Sequence, residues 1–363
     1  MGPTSSDEEG KPLFCPAVRP ATLIRISKYA DNHVVTAGYT RRFADPAGCV
    51  RRVDLRKPPE AEAERRNPKT VGYRSGYFTD PKIAREAERR LSVIEGKGLE
   101  ALADLDKRWP LEGERSLESR VDLARLVAVH MVRTPAFRGA TAKAQAVSLA
   151  RKMPEYQLDP SQEKELLHHL TSEEFVIDHM FSMITKNTSM IASAHWSLIE
   201  FDDRLLASSD QPVTAVPLLG DGDKAPIQPQ PIRGLLNTEE FRFPIDPSRL
   251  LLCTWVNDLD APEPIRADDD IAADLNRAVI AQADQEWFYH PARRPTSLPR
   301  SGVRVEGCSA VGRSLLPGYD AAVAVESGRR HEANNCIEKM TEDAPNENGE
   351  IKIYVGRVKL GAS

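Results

Sequence analysis

The stretch "DPKIAREAERRLSVIEGKGLEALADL", residues 80–105, has the pattern of a long amphipathic helix. Asp80 can cap its start, and Pro81 suits the first helical position because proline has no amide hydrogen to leave unpaired there. Apolar or small residues then recur every three or four positions, which puts them on one face. They are Ile83, Ala87, Leu91, Ile94, Gly98, Leu102 and Leu105. The stretch therefore predicts a helix that packs against a partner along a continuous stripe.

Further helices are predicted on both sides of residue 150. One begins near Ser116 and reaches Pro135, which must end or kink it because proline lacks an amide donor. Its predicted inner face consists of Leu117, Val121, Ala124, Ala128 and Met131. Another begins at "TSEEF", where Thr171 and Glu174 have the spacing of a capping box. Its inner face consists of Val176, Met180, Met183 and Ile184. We therefore expect residues 82–195 to be mostly helical.

The period of the pattern changes after this helical block. "GCVRRVDLRK" near residue 50 and "HWSLIEF" from His195 read as strands, and "RLLLCTWV" from Arg249 reads as a buried strand. Three aspartates, Asp268 to Asp270, then precede a helical stripe made of Ile271, Leu275, Val279 and Ala283. Helices grouped apart from strands favour an α+β fold. We expect a central helical region packed on a mostly antiparallel sheet.

The 363 residues suffice for one large core with appendages. We expect a flexible N-terminal tail at 1–20, a main α+β domain at 21–292 and a C-terminal extension at 293–363, which holds a strand-like "EIKIYVGRVKL". No window has the roughly 20 apolar residues needed to cross a bilayer, and the first residues do not resemble a signal peptide. The five cysteines are scattered and odd in number. These features predict a cytoplasmic protein with reduced thiols and no membrane association.

Positive charge is concentrated near the N-terminus. Residues 16–75 hold 13 Lys and Arg against 6 Asp and Glu, although the whole chain has a net charge of -5. Such a stretch permits a nucleic acid or another phosphate-bearing ligand as partner. The alternative interpretation is a basic surface that pairs with the protein's own carboxylates.

With these landmarks in order, the chain resembles the bacterial family known as domain of unknown function 4238, from Asn32 to about Pro291. "NHVVTAGYTRRFAD", residues 32–45, is similar to a family element that ends in an arginine–phenylalanine pair. His33, Tyr39, Arg42 and Phe43 match that element, while Asn32 and Thr36 replace a histidine and a proline. "IEG", "VRTPAFR", "HWSLIEFDDRLLASSDQPV" and "LNRAVIAQADQEWFYHP" match later elements in the same order. The resemblance implies no reaction, because the family has none assigned.

His33 is the candidate general base, because an imidazole titrates near neutral pH. Glu95 or Asp210 is its candidate carboxylate partner, and Arg42 and Arg133 are candidates to hold an anionic substrate in a bidentate fork. In the structural alternative, His33 bridges a turn and Arg133 ties its helix to a neighbour. "ASSDQPV", which contains Asp210, has a similar alternative as a turn that ends a strand.

No metal site is predicted. His168, His169, Asp178 and His179 form the densest group of metal-ligand types, but neighbouring histidines on a helix point in different directions. Asp268, Asp269 and Asp270 are better explained as partners of a helix N-terminus. No motif names a cofactor.

Two functions fit these residues. One is a hydrolase acting on a phosphorylated or nucleic-acid substrate, with His33, Glu95 and Asp210 as catalytic residues and Arg42 and Arg133 binding the substrate. The other is a non-catalytic interaction or regulatory module that binds an anionic partner. A single concave pocket holding His33, Glu95, Arg133 and Asp210 would favour the enzyme, and their dispersal would favour binding.

Overall fold

A computed structural model of the chain describes residues 32–58, 61–74, 77–111, 114–139, 159–170, 172–203, 205–217, 238–254 and 263–295. Within these ranges several helices accompany mostly antiparallel strands, which confirms the predicted α+β class. The predicted tail at 1–20 and the strand-like "EIKIYVGRVKL" lie outside the described residues.

The predicted helical block is confirmed where it is described. The α-helices are α1 Ala37–Thr40, α2 Pro81–Leu105, α3 Glu114–Val132, α4 Pro160–Leu170, α5 Glu173–Ser193 and α6 Asp269–Gln282. Helices α2, α3 and α5 contact one another. Short 3-10 helices span Arg41–Phe43 and Pro68–Thr70.

Helix α2 follows the predicted pattern closely. The Asp80 carboxylate accepts hydrogen bonds from the amides of Lys82, at 2.7 Å, and Ile83, at 3.4 Å. Most of the predicted stripe is buried, while Ile83 and Ile94 are half-buried. A Cβ on Gly98 would lie 2.5 Å from the Cβ of Leu126. Glycine at this position therefore lets α2 and α3 approach closely.

Two details of the predicted helices are wrong. Leu117 is 43% exposed, because α3 lies against both α2 and α5 and turns this residue outward. The N-cap of α5 is Ser172 rather than Thr171, and its Oγ accepts from the amide of Phe175 at 3.3 Å. The Glu173 carboxylate accepts from the amides of Thr79 and Asp80, both at 2.7 Å. It thereby ties the start of α5 to the start of α2.

The strands are β1 Asn32–His33, β2 Val50–Asp54, β3 Glu64–Arg66, β4 Tyr73–Arg74, β5 His195–Phe201, β6 Ala207–Ser209, β7 Thr214–Pro217, β8 Thr238–Asp246, β9 Arg249–Thr254, β10 Ile265–Ala267 and β11 Glu286–Tyr289. One sheet has the order β10-β5-β9-β8-β7, and a second has the order β3-β2-β11-β6. Strands β1 and β4 form a separate ladder. Every described pairing is antiparallel except that of β10 with β5.

The helices pack on the five-stranded sheet through a shared apolar core. Side chains from α2, α3 and α5 meet Trp196, Leu198, Phe241, Phe243 and Leu251 of that sheet. Asp268 caps α6 by accepting from the amide of Ile271 at 3.0 Å, as the aspartate run predicted. Cys253 is a free, buried thiol, whereas Cys49 is disulfide-bonded. The prediction of reduced thiols is therefore wrong for Cys49.

Candidate functional site

The structure brings two of the predicted site residues together. Arg133, just after α3, donates from Nη1 to Oε1 of Glu95 on α2 at 2.6 Å. It also donates to the carboxylate of Glu88, two turns earlier on α2. The Arg133 side chain is only 1% exposed. The two residues are therefore each other's partners inside the α2–α3 contact.

Arg42 is held by carboxylates and a carbonyl of its own chain. Its Nη1 and Nη2 donate to the two carboxylate oxygens of Asp106 at 3.0 and 2.7 Å. Its Nε donates to the carbonyl of Ile245 in β8 at 3.0 Å. Arg249 also binds Asp106, so two guanidinium groups share this carboxylate. The Arg42 guanidinium group, which was predicted to bind a substrate anion, therefore binds Asp106, the residue that follows α2.

Asp210 lies at the centre of a buried polar cluster. Its carboxylate accepts from the amides of Asp284, Gln285 and Glu286 at 2.9, 2.7 and 3.2 Å. Arg74 of β4 donates to the same carboxylate. Asp210 is 0% exposed, and this burial raises its pKa to about 6 although Arg74 acts in the opposite direction. The bonds join the end of β6 to the start of β11 and to β4, which supports the structural interpretation of "ASSDQPV".

A second buried carboxylate extends this cluster. Glu286 accepts from the amide of Gly72 at 2.5 Å and pairs with Arg52 of β2. Gly72 has a φ of +73°, and a Cβ there would lie 2.9 Å from the Cβ of Val35. Arg74 approaches Glu286 to 3.8 Å. Two carboxylates and two guanidinium groups therefore compensate each other between β2, β4 and β11.

His33 lies beside this cluster but bonds to the backbone. Its Nε2 is 2.8 Å from the carbonyl oxygen of Lys69, which belongs to the Pro68–Thr70 turn. Its ring meets the edge of Tyr73, with centroids 5.1 Å apart. The β1–β4 ladder pairs His33 with Tyr73 and Asn32 with Arg74. Among the described contacts, none joins His33 or Asp210 to Glu95 or Arg133. The five predicted site residues therefore do not form a single cluster within the described residues.

The neighbouring residues of the family-like element attach this segment to the sheets. The Tyr39 hydroxyl donates to the carbonyl of Pro244 at 2.6 Å and lies 2.8 Å from the Oγ of Ser208. Phe43 meets Phe288 edge to face, with centroids 5.4 Å apart. Together with Arg42, these contacts reach β6, β8 and β11. The conformation of residues 32–45 is therefore fixed by anchoring contacts.

Most described cations of the basic stretch contact carboxylates. Arg56 and Arg52 bind Asp54, and Arg65 binds Asp45. Further pairs are Arg66–Glu64, Lys57–Glu64, Arg74–Asp210 and Arg52–Glu286. Many partners belong to the same stretch rather than to the more acidic remainder of the chain. Asp210 and Glu286 come from outside the stretch, so carboxylates of both origins pair with its described cations, as the alternative interpretation of the basic stretch expected.

A buried histidine that the sequence analysis did not single out packs in the core. His130 of α3 is 1% exposed, and its ring stacks on Phe243 with centroids 5.7 Å apart and lies tilted against Tyr39 at 5.1 Å. Burial lowers its pKa to about 3, and the charge of Arg133 acts in the same direction. His130 is therefore neutral at neutral pH and packs as an aromatic residue.

A concave groove lies between α2, α3 and α5, with a volume of about 360 Å³. We call it the arginine groove. It is lined by Arg89, Arg90, Val93, Ile94, Arg125, Phe181, Ile184 and Thr185. Apolar side chains form one part of the lining and three guanidinium groups form the other. This composition is typical of a site for a ligand that is both apolar and negatively charged.

The three arginines of the groove differ in their partners. Arg89 donates to both oxygens of Glu86 at 3.0 and 2.7 Å, and Arg125 donates to Asp122 at 3.0 Å. The guanidinium carbon of Arg90 lies 3.6 Å from the ring centroid of Phe181. Arg90 makes no hydrogen bond or ion pair with any residue in the described ranges. The Phe181 ring thus positions Arg90, and none of the described residues accepts a hydrogen bond from its N–H donors.

The sequence carried one signal for this groove. Arg89 and Val93 lie outside the predicted apolar stripe of α2, and Val93, one turn after Arg89, is a large apolar residue. In the structure Val93 is 57% exposed. The groove itself depends on Arg125 and Phe181, which only tertiary packing brings to α2.

The described residues contain no group of three or more His, Cys, Asp or Glu side chains arranged to hold a metal ion. None of the described helices combines the length and the apolar character that a transmembrane segment requires.

Comparison with known proteins gives a family but no activity. The family model described as "Protein of unknown function (DUF4238)" matches residues 32–293. No curated protein and no solved structure gives a significant match. The matched range covers well over half of the 363 residues and contains every site residue discussed above. The chain therefore belongs to the DUF4238 family.

Proposed function

We propose that this protein binds an anionic partner without transforming it, and that the arginine groove is the binding site. The observation that carries this proposal is Arg90, whose guanidinium group lies over Phe181 with its N–H donors unused by the described residues. A guanidinium group positioned in this way can form two parallel hydrogen bonds to a carboxylate or a phosphate.

The dispersal of the predicted catalytic residues supports binding over catalysis. Glu95 and Arg133 bind each other, Arg42 binds Asp106, and Asp210 is enclosed with Arg74. A substrate anion would have to displace a carboxylate that is already well bonded at each of these guanidinium groups. Arg90 requires no such displacement.

The test uses 8-anilinonaphthalene-1-sulfonate, an apolar anion whose fluorescence reports binding. We expect saturable binding to the wild-type protein and a loss of affinity of about tenfold or more in Arg90→Gln, because a charged hydrogen bond contributes about 1.5–3 kcal/mol. Added NaCl should weaken the wild-type binding, since exposed charges are screened.

Arg85→Gln is the matched control, because Arg85 is an exposed arginine of the same helix and does not line the groove. It removes the same charge from α2 and should retain wild-type affinity. Equal losses in the two variants would show that the dye responds to net charge alone, and the proposal would then be abandoned.

Hydrolysis of a phosphorylated or nucleic-acid substrate is a second proposal, with His33 as proton acceptor. The observation that favours it is the β1–β4 ladder, in which Asn32, the residue before His33, pairs with Arg74, and Arg74 binds Asp210. In this proposal Arg42 and Arg133 would exchange their carboxylate partners for the substrate, and Glu95 or Asp210 would orient the base.

Turnover of p-nitrophenyl phosphate and bis(p-nitrophenyl) phosphate tests this second proposal. If His33 is the base, His33→Asn should lower the rate by about 100-fold or more. His168→Asn, which changes an exposed histidine on α4, should not alter it. Absence of turnover in the wild-type protein, or equal activity in both variants, would exclude His33 as a catalytic base for these substrates.

A further inference from the structure

We infer that the ligand of the arginine groove is a small organic acid with a single negative charge and a flat apolar body, such as an aromatic carboxylate. This inference rests on the proposed function and narrows it to one chemical class. It is argued from the charges, the lining and the size of the groove.

The charge balance of the groove favours a monoanion. Glu86 compensates Arg89 and Asp122 compensates Arg125, each through hydrogen bonds of 3.0 Å or less. Arg90 keeps one positive charge, on which Glu86 acts only through longer-range electrostatics. One carboxylate would neutralise this charge, whereas a phosphate dianion would bring a second negative charge near Glu86 and Asp122.

The lining of the groove favours an apolar body. Val93, Ile94, Phe181 and Ile184 contribute hydrocarbon surface around the arginines. Val93 is 57% exposed, so a ligand that covers it removes apolar area from water. The guanidinium group of Arg90 already lies over one aromatic ring, and its planar shape also suits a ring of the ligand.

The size of the groove favours a small molecule. Its volume of about 360 Å³ lies near the lower end of ligand pockets, which span roughly 300–1,000 Å³. The carboxylates of Glu86 and Asp122 at its border would repel the successive phosphates of a nucleic-acid strand. A ligand with one ring and one carboxylate is small enough for this volume and carries no succession of phosphates.

Isothermal titration calorimetry at pH 7.5 and fixed ionic strength tests the inference with three probes. Phenylacetate carries one charge, phenylacetamide carries none, and phenyl phosphate carries close to two. We expect phenylacetate to bind about tenfold or more tightly than phenylacetamide and more tightly than phenyl phosphate. Tighter binding of phenyl phosphate would overturn the inference and leave the proposed function standing. Failure of both anions to bind would overturn both.

Glu86→Gln, at an exposed position of α2, tests the charge balance because it should improve the binding of phenyl phosphate relative to phenylacetate. This change frees Arg89, so the preference for phenylacetate over phenyl phosphate should fall by about threefold or more. Glu165→Gln on α4, which does not line the groove, removes the same charge and should leave the preference unchanged. An unchanged preference in Glu86→Gln would contradict the charge balance on which the inference depends.

Discussion

Asp210→Ala should lower the free energy of unfolding by about 3–5 kcal/mol at pH 7.5. At this pH the carboxylate is ionised, because burial raises its pKa only to about 6. Its removal leaves the guanidinium group of Arg74 without its principal partner and three amides of the β11 segment without their acceptor. Chemical denaturation followed by circular dichroism measures the change.

The control for this variant is Asp202→Ala. Asp202 also pairs with an arginine, Arg266, but the two side chains are 86% and 72% exposed. Exposed pairs contribute little because water solvates both charges, so this variant should be indistinguishable from wild type. If Asp210→Ala were as stable as Asp202→Ala, the buried cluster would not hold β4 and β11 together, and a functional role for Asp210 would gain weight.

Arg133→Met should lower the free energy of unfolding by about 3 kcal/mol, because it leaves the Glu95 carboxylate uncompensated in the α2–α3 contact. The Glu95 side chain is 15% exposed and that of Glu88 is 38% exposed. Glu88 can therefore recover part of its hydration. The expected loss of unfolding free energy is thus at the lower end of the roughly 3–5 kcal/mol that breaking a buried ion pair costs. The same denaturation experiment measures the effect.

A second substitution tests the reason for this loss. Arg133→Met combined with Glu95→Gln should recover part of the lost stability, because the amide carries no charge that needs compensation. Recovery identifies Arg133 as a structural partner of Glu95. An undiminished loss in the double variant would mean that packing of the arginine stem, rather than its charge, stabilises the contact.

The local elements were predictable because they depend on short-range patterns. Asp80 and Pro81 fixed the start of α2, and the spacing of Leu91, Leu102 and Leu105 fixed its buried face. The N-cap of α5 was predicted one residue too early. Threonine and serine both carry a hydroxyl group that can cap a helix, so the sequence alone does not distinguish Thr171 from Ser172. Leu117 could not be placed correctly without knowing on which sides α3 has neighbours.

The candidate site depended on contacts that no local pattern contains. The amino-acid sequence by itself determined the α+β class, the caps and stripes of the helices, and the residue types available for chemistry. Only the tertiary structure decided that Arg133 meets Glu95 and Arg42 meets Asp106, while the N–H donors of Arg90 bond to none of the described residues. Charged side chains form ion pairs with residues that are tens or hundreds of positions away in the sequence. Which pairs form depends on how the helices and sheets pack, because spacing along the chain does not determine which side chains meet.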